Sequence, residues 1–522
     1  MPDPVVISAA PRRALGSTGK RNVLANWTAF AFTAAVAFVM TPFVVHSLGD
    51  TSYGVWVLLT ALVNYLGLLD LGVRGAVTRY VAGYRAAAQD LEAGRVSSAA
   101  ITILAGTGVV AIVVSVMMAI LFLPLFHIPA DYVAQARTVI VLGGLTFAVS
   151  LVSGAFGGIL AAVERFDFLC GIDILTTTLR AISIYVGLSH GIGLVGLVLI
   201  QFGYTLVRGV LNYALARRQY PELRLTRLGW GWPELQRIAS FSLFSAILHV
   251  SEAVILETDA LVIASFLPVH MVALFAIGAN MTFYARAVFS GISQTMTPRA
   301  SALQSDGRGC ELPRITLSAG RVATLLTLPI VVTFLVRGES FIGLWMGPNY
   351  AVASGQILAI LSVALAVQAA RQVATSAIIG LNRHRALAPW YMGEAAANVI
   401  LSLLLVRSRG LVGVALGTVI PSLFVSLLVI PWHMRHVFGA PIRRTWLQFW
   451  IRPVGAMIPF MLASYAIEHL SRPHDLYGFF WQVAAILPVA FGGIWLVGLE
   501  REERSSYRSL VWSNRTGVGS IV

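Results

Sequence analysis

Charge is scarce in this chain of 522 residues, of which 11% are charged and 57% are hydrophobic. A soluble globular domain carries about 25% charged residues, so this chain has too little polar surface to be solvated as a globule. No polar stretch is long enough to form a separate soluble domain. We therefore interpret the chain as an all-α polytopic membrane protein that lies almost entirely within the bilayer.

Sequence motifs for catalysis are also missing. There is no P-loop, so this chain does not drive transport with ATP, and no loop carries the clustered Asp, Glu and His of a glycosyltransferase or metalloenzyme. Cys170 and Cys310 are far apart and lack metal-ligand spacing, which is typical of reduced thiols. We expect no enzymatic activity, no catalytic residues, no metal site and no cofactor.

The positive charge is carried almost entirely by arginine, because Lys20 is the one lysine and the net charge is +14. The arginines concentrate in short loops at the ends of about fourteen apolar stretches long enough to cross a bilayer. This position indicates a role in membrane topology and argues against nucleic-acid binding. Alternate loops hold most of them, so the positive-inside rule places both termini in the cytoplasm. The opposite loops hold few: Arg137, Arg337, Arg407, Arg409 and Arg472.

An internal repeat runs through most of the chain. GLVGLVL at 193–199 recurs as GLVGVAL at 410–416, 217 positions later, and Glu164-Arg165 falls on Asn382-Arg383, 218 positions later. A constant offset indicates an ancient duplication. With six spans in each copy, the copies are parallel six-helix bundles related by an axis along the membrane normal. Two C-terminal spans lie outside the repeat.

The organisation predicted from these spans and loops has six parts. It consists of a cytoplasmic tail (1–21), a first bundle (22–216), a cytoplasmic linker (217–236), a second bundle (237–435), spans thirteen and fourteen (436–500) and a cytoplasmic tail (501–522).

Ionisable residues within spans are costly and usually face the protein interior. Arg74, Arg180 and Arg286 are deep cations, and Gln368, Arg371 and Gln372 form a stripe on one face of span ten. The guanidinium fork suits phosphate oxygens, so these six residues are the candidate substrate-binding set. Two alternatives remain: Asp70 and Arg74 pair within one helix, and the stripe only packs against neighbouring helices.

Span seven carries acids with no basic residue nearby. Glu252 and Asp259 are seven positions apart and share a helical face. An acidic pair facing a cavity suits a coupling H⁺ or Na⁺; the alternative is polar contact between helices. Glu257 points elsewhere on the helical wheel.

Several segments resemble one family. SLGDTSYGVWVLLTALVNYLGLLDLGV (47–73), ERFD (164–167), LWMGPNY (344–350) and GLVGVALGTVIP (410–421) are together similar, over about residues 20–435, to the polysaccharide-transporter branch of the multidrug/oligosaccharidyl-lipid/polysaccharide (MOP) exporter superfamily, which contains the Wzx-type flippases. The resemblance implies a V-shaped fold of two bundles, in the bacterial inner membrane, that rock between inward-open and outward-open states.

The resemblance also implies a cargo, an undecaprenyl-pyrophosphate-linked oligosaccharide moved to the outer leaflet. The implied partners are that lipid, membrane lipids, and a polymerase and chain-length regulator of the same pathway. A drug exporter or a lipid II flippase of the same superfamily remains an alternative. So does, in another class, a membrane-embedded polysaccharide polymerase or acyltransferase, although the outward loops are short for either enzyme.

Overall fold

Helices account for nearly all of the regular structure, because backbone N–H and C=O groups in hydrocarbon must be satisfied within their own segment. The computed structural model describes residues 17–70, 72–223, 225, 232–500 and 503–504, and no strand occurs among them. The chain divides into two compact units, Met1–Ala273 and Leu274–Val522. Most of the predicted terminal tails and part of the predicted linker lie outside the described residues.

The first unit is built around one long central helix, α5, which packs against α2, α3, α4 and α7. Helix α6 packs against α1 and α7, and α8 packs against α2. The helices are α1 (Ser17–Leu48), α2 (Asp50–Asn64), α3 (Val73–Ala86), α4 (Asp90–Met117), α5 (Ala130–Ala162), α6 (Phe166–Ser189), α7 (Leu194–Gln219) and α8 (Trp232–Phe266).

The second unit contains most of α9 and all later helices. Its core combines α9, α10 and α11 with the last two long helices, which contribute Phe460 and Ile486. The helices are α9 (His270–Ser305), α10 (Leu312–Met346), α11 (Pro348–Gly380), α12 (Ala388–Phe424), α13 (Ile430–Phe438), α14 (Ile442–Trp446), α15 (Arg452–Leu470) and α16 (Leu476–Gly493). The two C-terminal spans that lie outside the repeat are therefore part of this unit.

Twelve segments among the described residues are long and apolar enough to cross a membrane. One of them, Ala388–Phe438, is 51 residues long and contains two of the predicted spans, joined where the backbone leaves helical geometry at Gly410. The predicted seventh span lies on α8, where the side chains of 232–247 are outside the description. The all-α polytopic architecture is confirmed, and the number of fourteen spans stays a prediction.

The second predicted span is broken rather than continuous. Helix α2 ends at Asn64, a 3₁₀ turn covers Tyr65–Asp70, and Gly72 adopts a left-handed conformation with φ 74° before α3 begins. Gly adopts this conformation without the steric cost of a Cβ. The i,i+4 pairing of Asp70 with Arg74 requires one regular helix, so the break removes the geometry on which that alternative depended.

The internal repeat recurs in the backbone. Glu164 and Asn382, 218 positions apart, are both left-handed, with φ 60° and 55°. Ala88 and Gly307, 219 positions apart, are left-handed as well, with φ 55° and 73°. Left-handed non-glycine residues are uncommon, so the recurrence of Glu164 at Asn382, at the offset of the repeat, supports duplication.

A hydrogen bond between helices recurs at the same offset. Thr78 of α3 donates its hydroxyl to the carbonyl of Gly158 on α5, at 3.2 Å. Thr297 of α9 donates to the carbonyl of Ser376 on α11, at 3.0 Å. The two units therefore repeat both the ends of helices and a contact between helices.

One buried arginine joins α10 to the C-terminal helices. The side chain of Arg337 is fully buried. Its Nε donates to Glu468 Oε2 of α15 at 2.8 Å, and its Nη2 donates to Gln482 of α16. Its guanidinium also lies 4.6 Å from the ring centroid of Phe479. The sequence predicted that Arg337 lies in an outward loop. This was wrong, because α10 extends to Met346 and Arg337 therefore lies within the helix.

A second buried arginine lies on the same helix. Arg321 is 1% exposed and donates to Gln448 and to Glu503. Glu500 Oε1 is 3.3 Å from its Nη1. Two arginines on α10, sixteen residues apart, thus bind carboxylates that belong to or follow the added helices.

Candidate functional site

Three arginines, one aspartate and one tyrosine form a polar cluster in the first unit, which we name the arginine cluster: Arg74, Asp173, Arg180, Tyr204 and Arg208. Arg208 Nη2 lies 2.6 Å from Asp173 Oδ1, and its Nη1 donates to the hydroxyl of Tyr204 at 3.3 Å. The guanidinium of Arg180 lies 5.9 Å from the ring centroid of Tyr204. Arg74 is close enough to Asp173 to act on its charge.

Helical spacing brings these side chains together. Asp173 and Arg180 are seven positions apart on α6, and Tyr204 and Arg208 are four apart on α7, so each pair shares one face. Helices α6 and α7 pack against each other. The arginine cluster is therefore a consequence of two neighbouring helical faces.

The side chain of Arg74 packs against Gly154 on α5. A Cβ at Gly154 would lie 2.5 Å from the guanidinium Nη2 of Arg74, so a larger residue there would displace the guanidinium from this position. Arg74 and Arg180 are both exposed, and Arg208 and Asp173 are 39% and 38% exposed. The cluster thus presents three accessible guanidinium groups against one carboxylate, an excess of positive charge that suits a phosphate.

A second polar cluster lies in the second unit, between α11 and α12. Arg371 Nη1 donates to both carboxylate oxygens of Glu394, at 2.7 and 2.9 Å. Its guanidinium also lies 5.3 Å from the ring centroid of Tyr391, whose hydroxyl is 2.8 Å from Thr375 Oγ1. The side chains of Arg371 and Glu394 are 12% and 2% exposed, so here a buried carboxylate balances the arginine.

The remaining substrate candidates occupy different environments. Gln368 is buried and donates to the hydroxyl of Ser422 at 3.0 Å. Gln372, on the same helix, is exposed. Arg286 is half-buried on α9. Together with the bond from Arg371 to Glu394, these positions show that the predicted stripe contacts neighbouring helices at two of its members, while its role in binding cargo stays a prediction.

The acids of α8 adjoin the break in the second predicted span. Asn64 donates to Glu257 Oε1 at 3.0 Å, and the hydroxyls of Tyr65 and Thr258 are hydrogen-bonded at 2.5 Å. Asp259 is 6% exposed, whereas Glu252 is exposed. The two predicted coupling residues thus differ in burial. Glu257, which the helical wheel set apart from them, is the acid that receives a hydrogen bond from the broken span.

Sequence reasoning left Asp173, Arg208 and Glu394 out of the candidate set. The signals were present as an acid seven positions before Arg180, an arginine four positions after Tyr204, and an acid in the span that follows Arg371. The residue pattern of one helix does not show which residues of a neighbouring helix it contacts. The described residues hold no group of three or more His, Cys, Asp or Glu side chains arranged to bind a metal ion.

Removing only the charge of Glu394 tests the second cluster. We expect Glu394→Gln to lower the free energy of unfolding by about 1.5–3 kcal/mol, because a hydrogen bond to a charged partner is weakened and a buried guanidinium loses its counter-ion. Arg371→Gln/Glu394→Gln should recover most of that loss, since two amides can bond each other. Thermal unfolding in detergent measures both. Gln372→Ala, at an exposed position of the same helix, is the control; equal losses in the single and double variants would contradict the pairing.

Known proteins resemble this chain in sequence. A family model described as "Polysaccharide biosynthesis protein" matches residues 107–355. The chain is 20% identical over 420 residues to a "Putative O-antigen transporter" of Shigella flexneri, covering 78% of this chain and 96% of that protein. It is also 20% identical over 458 residues to an "Uncharacterized membrane protein EpsK" of Bacillus subtilis (strain 168), covering 86% and 90%.

Solved structures share the fold. The lipid II flippase MurJ, in an inward closed conformation, matches with a TM-score of 0.70 and 11% identity over 94% of this chain and 100% of that chain. A multidrug resistance MATE family transporter of the MOP superfamily, in an inward-facing conformation, matches with a TM-score of 0.64 and 16% identity over 80% and 96%. These likenesses confirm the fold class that the sequence predicted, and the matches in sequence to the family model and to the O-antigen transporter confirm the predicted resemblance.

Proposed function

Because the chain resembles the polysaccharide transporters of the MOP exporter superfamily and has the fold of that superfamily, we propose that it is a flippase for polyprenyl-pyrophosphate-linked oligosaccharides. It carries repeat units of O-antigen, exopolysaccharide or capsule from the cytoplasmic to the outer leaflet of the bacterial inner membrane. It is a transporter and not an enzyme. Both termini lie in the cytoplasm, and movement occurs by alternating access.

The observation that carries the proposal is the excess of positive charge in the arginine cluster. A pyrophosphate cannot enter hydrocarbon unaided, because burying an unpaired charge costs many kcal/mol. Three accessible guanidinium groups, of which Asp173 neutralises one, offer charge-assisted hydrogen bonds to phosphate oxygens. The tail of the lipid can meanwhile remain in the bilayer.

The polarity of the cluster favours this cargo over a cationic drug. A drug exporter with cationic substrates favours acidic residues in its binding site, whereas Arg74, Arg180 and Arg208 outnumber the one acid, Asp173. Lipid II also carries a pyrophosphate, so a lipid II flippase remains the second candidate, and the likeness in fold to MurJ favours it.

We propose that a coupling ion, H⁺ or Na⁺, drives the cycle. Asp259 supports this role because it is 6% exposed in a membrane-embedded helix, and acidic residues retained inside membrane helices mark ion pathways and proton relays. Glu257, bonded to Asn64 beside the broken helix, is the neighbouring acid.

The function is tested by following the cargo. Deleting the gene should cause sugar units linked to the polyprenyl lipid to accumulate in the inner leaflet, and the wild-type chain should restore export. The protein in proteoliposomes should make a labelled polyprenyl-pyrophosphate oligosaccharide accessible to a glycosidase on the opposite side. A mutant that lacks the polymerase, in contrast, still delivers single repeat units to the outer surface. Delivery of single repeat units to the outer surface in the strain that lacks this gene would contradict the proposal.

Lipid II separates the two flippase candidates. Proteoliposomes loaded with lipid II instead of the oligosaccharide lipid should show no movement above protein-free vesicles. Lipid II movement at the same rate, or loss of viability on deletion, would assign the chain to the second candidate.

Collapsing the H⁺ and Na⁺ gradients in turn identifies the coupling ion as the one whose removal stops transport.

A further inference from the structure

Three arginines surround a small pocket where α14 continues into α15. The pocket has a volume of about 260 Å³ and is lined by Pro441, Arg443, Arg444, Leu447, Gln448 and Arg452. We name it the α14–α15 pocket. It belongs entirely to the second unit and shares no residue with either polar cluster described above.

The local helix geometry places these side chains on one face. Arg444, Gln448 and Arg452 are spaced four residues apart, which is the spacing of neighbours on a helical surface. Between α14 and α15 the turn Leu447–Ile451 is a π-helix, a wider turn that often marks functional positions. The sequence therefore builds a basic face, and the wide turn lies at its centre.

The positive charge of the pocket is only partly neutralised. Arg452 Nη1 is 3.2 Å from Glu500 Oε1, which also accepts a hydrogen bond from Gln448 Nε2 at 2.6 Å. Arg443 and Arg444 are exposed and make no hydrogen bond or ion pair with another described residue. Two of the three guanidinium groups thus remain available to a ligand.

The acid nearest to the pocket is held in its charged form. Burial is the largest single influence on Glu500 and raises its pKa, but the hydrogen bond from Gln448 and the charge of Arg321 outweigh it, and the pKa is lowered from its ordinary value. Glu500 therefore remains an anion that positions Gln448 and Arg452, and it leaves Arg443 and Arg444 uncompensated.

Membrane topology alone does not account for this arrangement. The positive-inside rule requires basic residues near the end of a span, but it requires neither a shared cavity nor a buried amide side chain such as Gln448 in its lining. Trp446 directly precedes the wide turn and Trp450 lies within it, with ring centroids 5.9 Å apart, and tryptophan is enriched at the level of lipid headgroups. The pocket thus lies where a phosphate of the membrane is available.

We propose that the α14–α15 pocket binds the phosphate of an anionic membrane phospholipid. Two arginine forks suit the non-bridging oxygens of a phosphodiester, and basic pockets between membrane helices on the cytoplasmic side are known to take anionic headgroups. The bound lipid holds the start of α15 in place. Gln448, which lines the pocket, accepts a hydrogen bond from Arg321 and so links the lipid site to α10. This site is separate from the transported cargo and does not depend on the proposed function.

Lipid binding to the purified full-length protein tests the site. Native mass spectrometry or thermal unfolding with phosphatidylglycerol and phosphatidylcholine should show tighter binding of phosphatidylglycerol by the wild-type chain. Arg443→Gln/Arg444→Gln should weaken that binding by about tenfold or more, as expected for two surface arginines near an anionic lipid. Arg443→Lys/Arg444→Lys keeps the charge and should retain most of it.

A matched pair of substitutions controls for net charge. Arg299→Gln/Arg383→Gln removes two exposed arginines of the same unit and should leave phosphatidylglycerol binding unchanged. Equal binding of phosphatidylglycerol by the wild type and the Arg443→Gln/Arg444→Gln variant would overturn the site. Inorganic pyrophosphate that binds as tightly as the lipid and displaces it would overturn the assignment to a phospholipid.

Discussion

We expect Arg180→Gln/Arg208→Gln to reduce export of the lipid-linked oligosaccharide at least about 100-fold. Each charged hydrogen bond to a phosphate is worth about 1.5–3 kcal/mol, and two such losses exceed the 2.7 kcal/mol or so that a hundredfold change represents. The substitution leaves Asp173 in place, so the net charge of the arginine cluster falls from clearly positive to about neutral. Export in cells and glycosidase accessibility in proteoliposomes both measure the effect.

Three further variants separate the role of the arginine cluster from the effects of net charge, of guanidinium shape and of the ion pair with Asp173. Arg299→Gln/Arg383→Gln carries the same change in net charge at exposed positions of the second unit and should export normally. Arg180→Lys/Arg208→Lys keeps the charge but loses the planar fork, so an intermediate rate is expected. Asp173→Asn releases Arg208 from its ion pair and should preserve export. Wild-type export by the correctly folded glutamine variant would exclude the arginine cluster as the phosphate site.

The largest loss of stability is expected from Arg337→Met. This change leaves Glu468 buried with Ser340 as its remaining bonded partner and removes the contact with Phe479. Removing one member of a buried ion pair typically costs about 3–5 kcal/mol. The yield of folded protein and its unfolding temperature in detergent should both fall.

The double variant Arg337→Met/Glu468→Met separates charge from packing. Apolar replacement of a whole buried pair is often close to neutral, so most of the lost stability should return. Arg472→Met, an exposed arginine near the end of α15, is the matched control and should leave the unfolding temperature unchanged. A single variant as stable as the wild type would contradict a structural role for this pair.

Much of the fold could be predicted because it depends on properties that a sequence displays directly. Apolar stretches of membrane length predicted helices that the structure contains, and the offset of 218 predicted a repeat that reappears at Glu164 and Asn382. The interruption after Asn64 was missed because the surrounding stretch is apolar enough to be interpreted as one continuous span despite Asp70. Arg337 was misplaced because a buried arginine in an ion pair and a loop arginine look alike in a sequence that does not show their partners.

The candidate site could be predicted only by residue type. Arg74 and Arg180 were selected as deep cations, and the structure places them with Asp173 and Arg208. Arg371 was selected on the same grounds, but Glu394 of the next helix neutralises it. Whether a membrane arginine is available to a ligand depends on the facing helix, and periodicity within one helix carries no information on that neighbour.

The two arginines of α10 restrict how this architecture could have arisen. In the first copy of the repeat, the positions 218 residues before Arg321 and Arg337 are Ile103 and Ala119, which lipid tails solvate well. In the second copy, bare guanidinium groups at these places would face hydrocarbon at a cost of several kcal/mol. The arginines and the C-terminal helices that pair with them are therefore mutually dependent, so a form without those helices also requires apolar residues in place of the two arginines on α10.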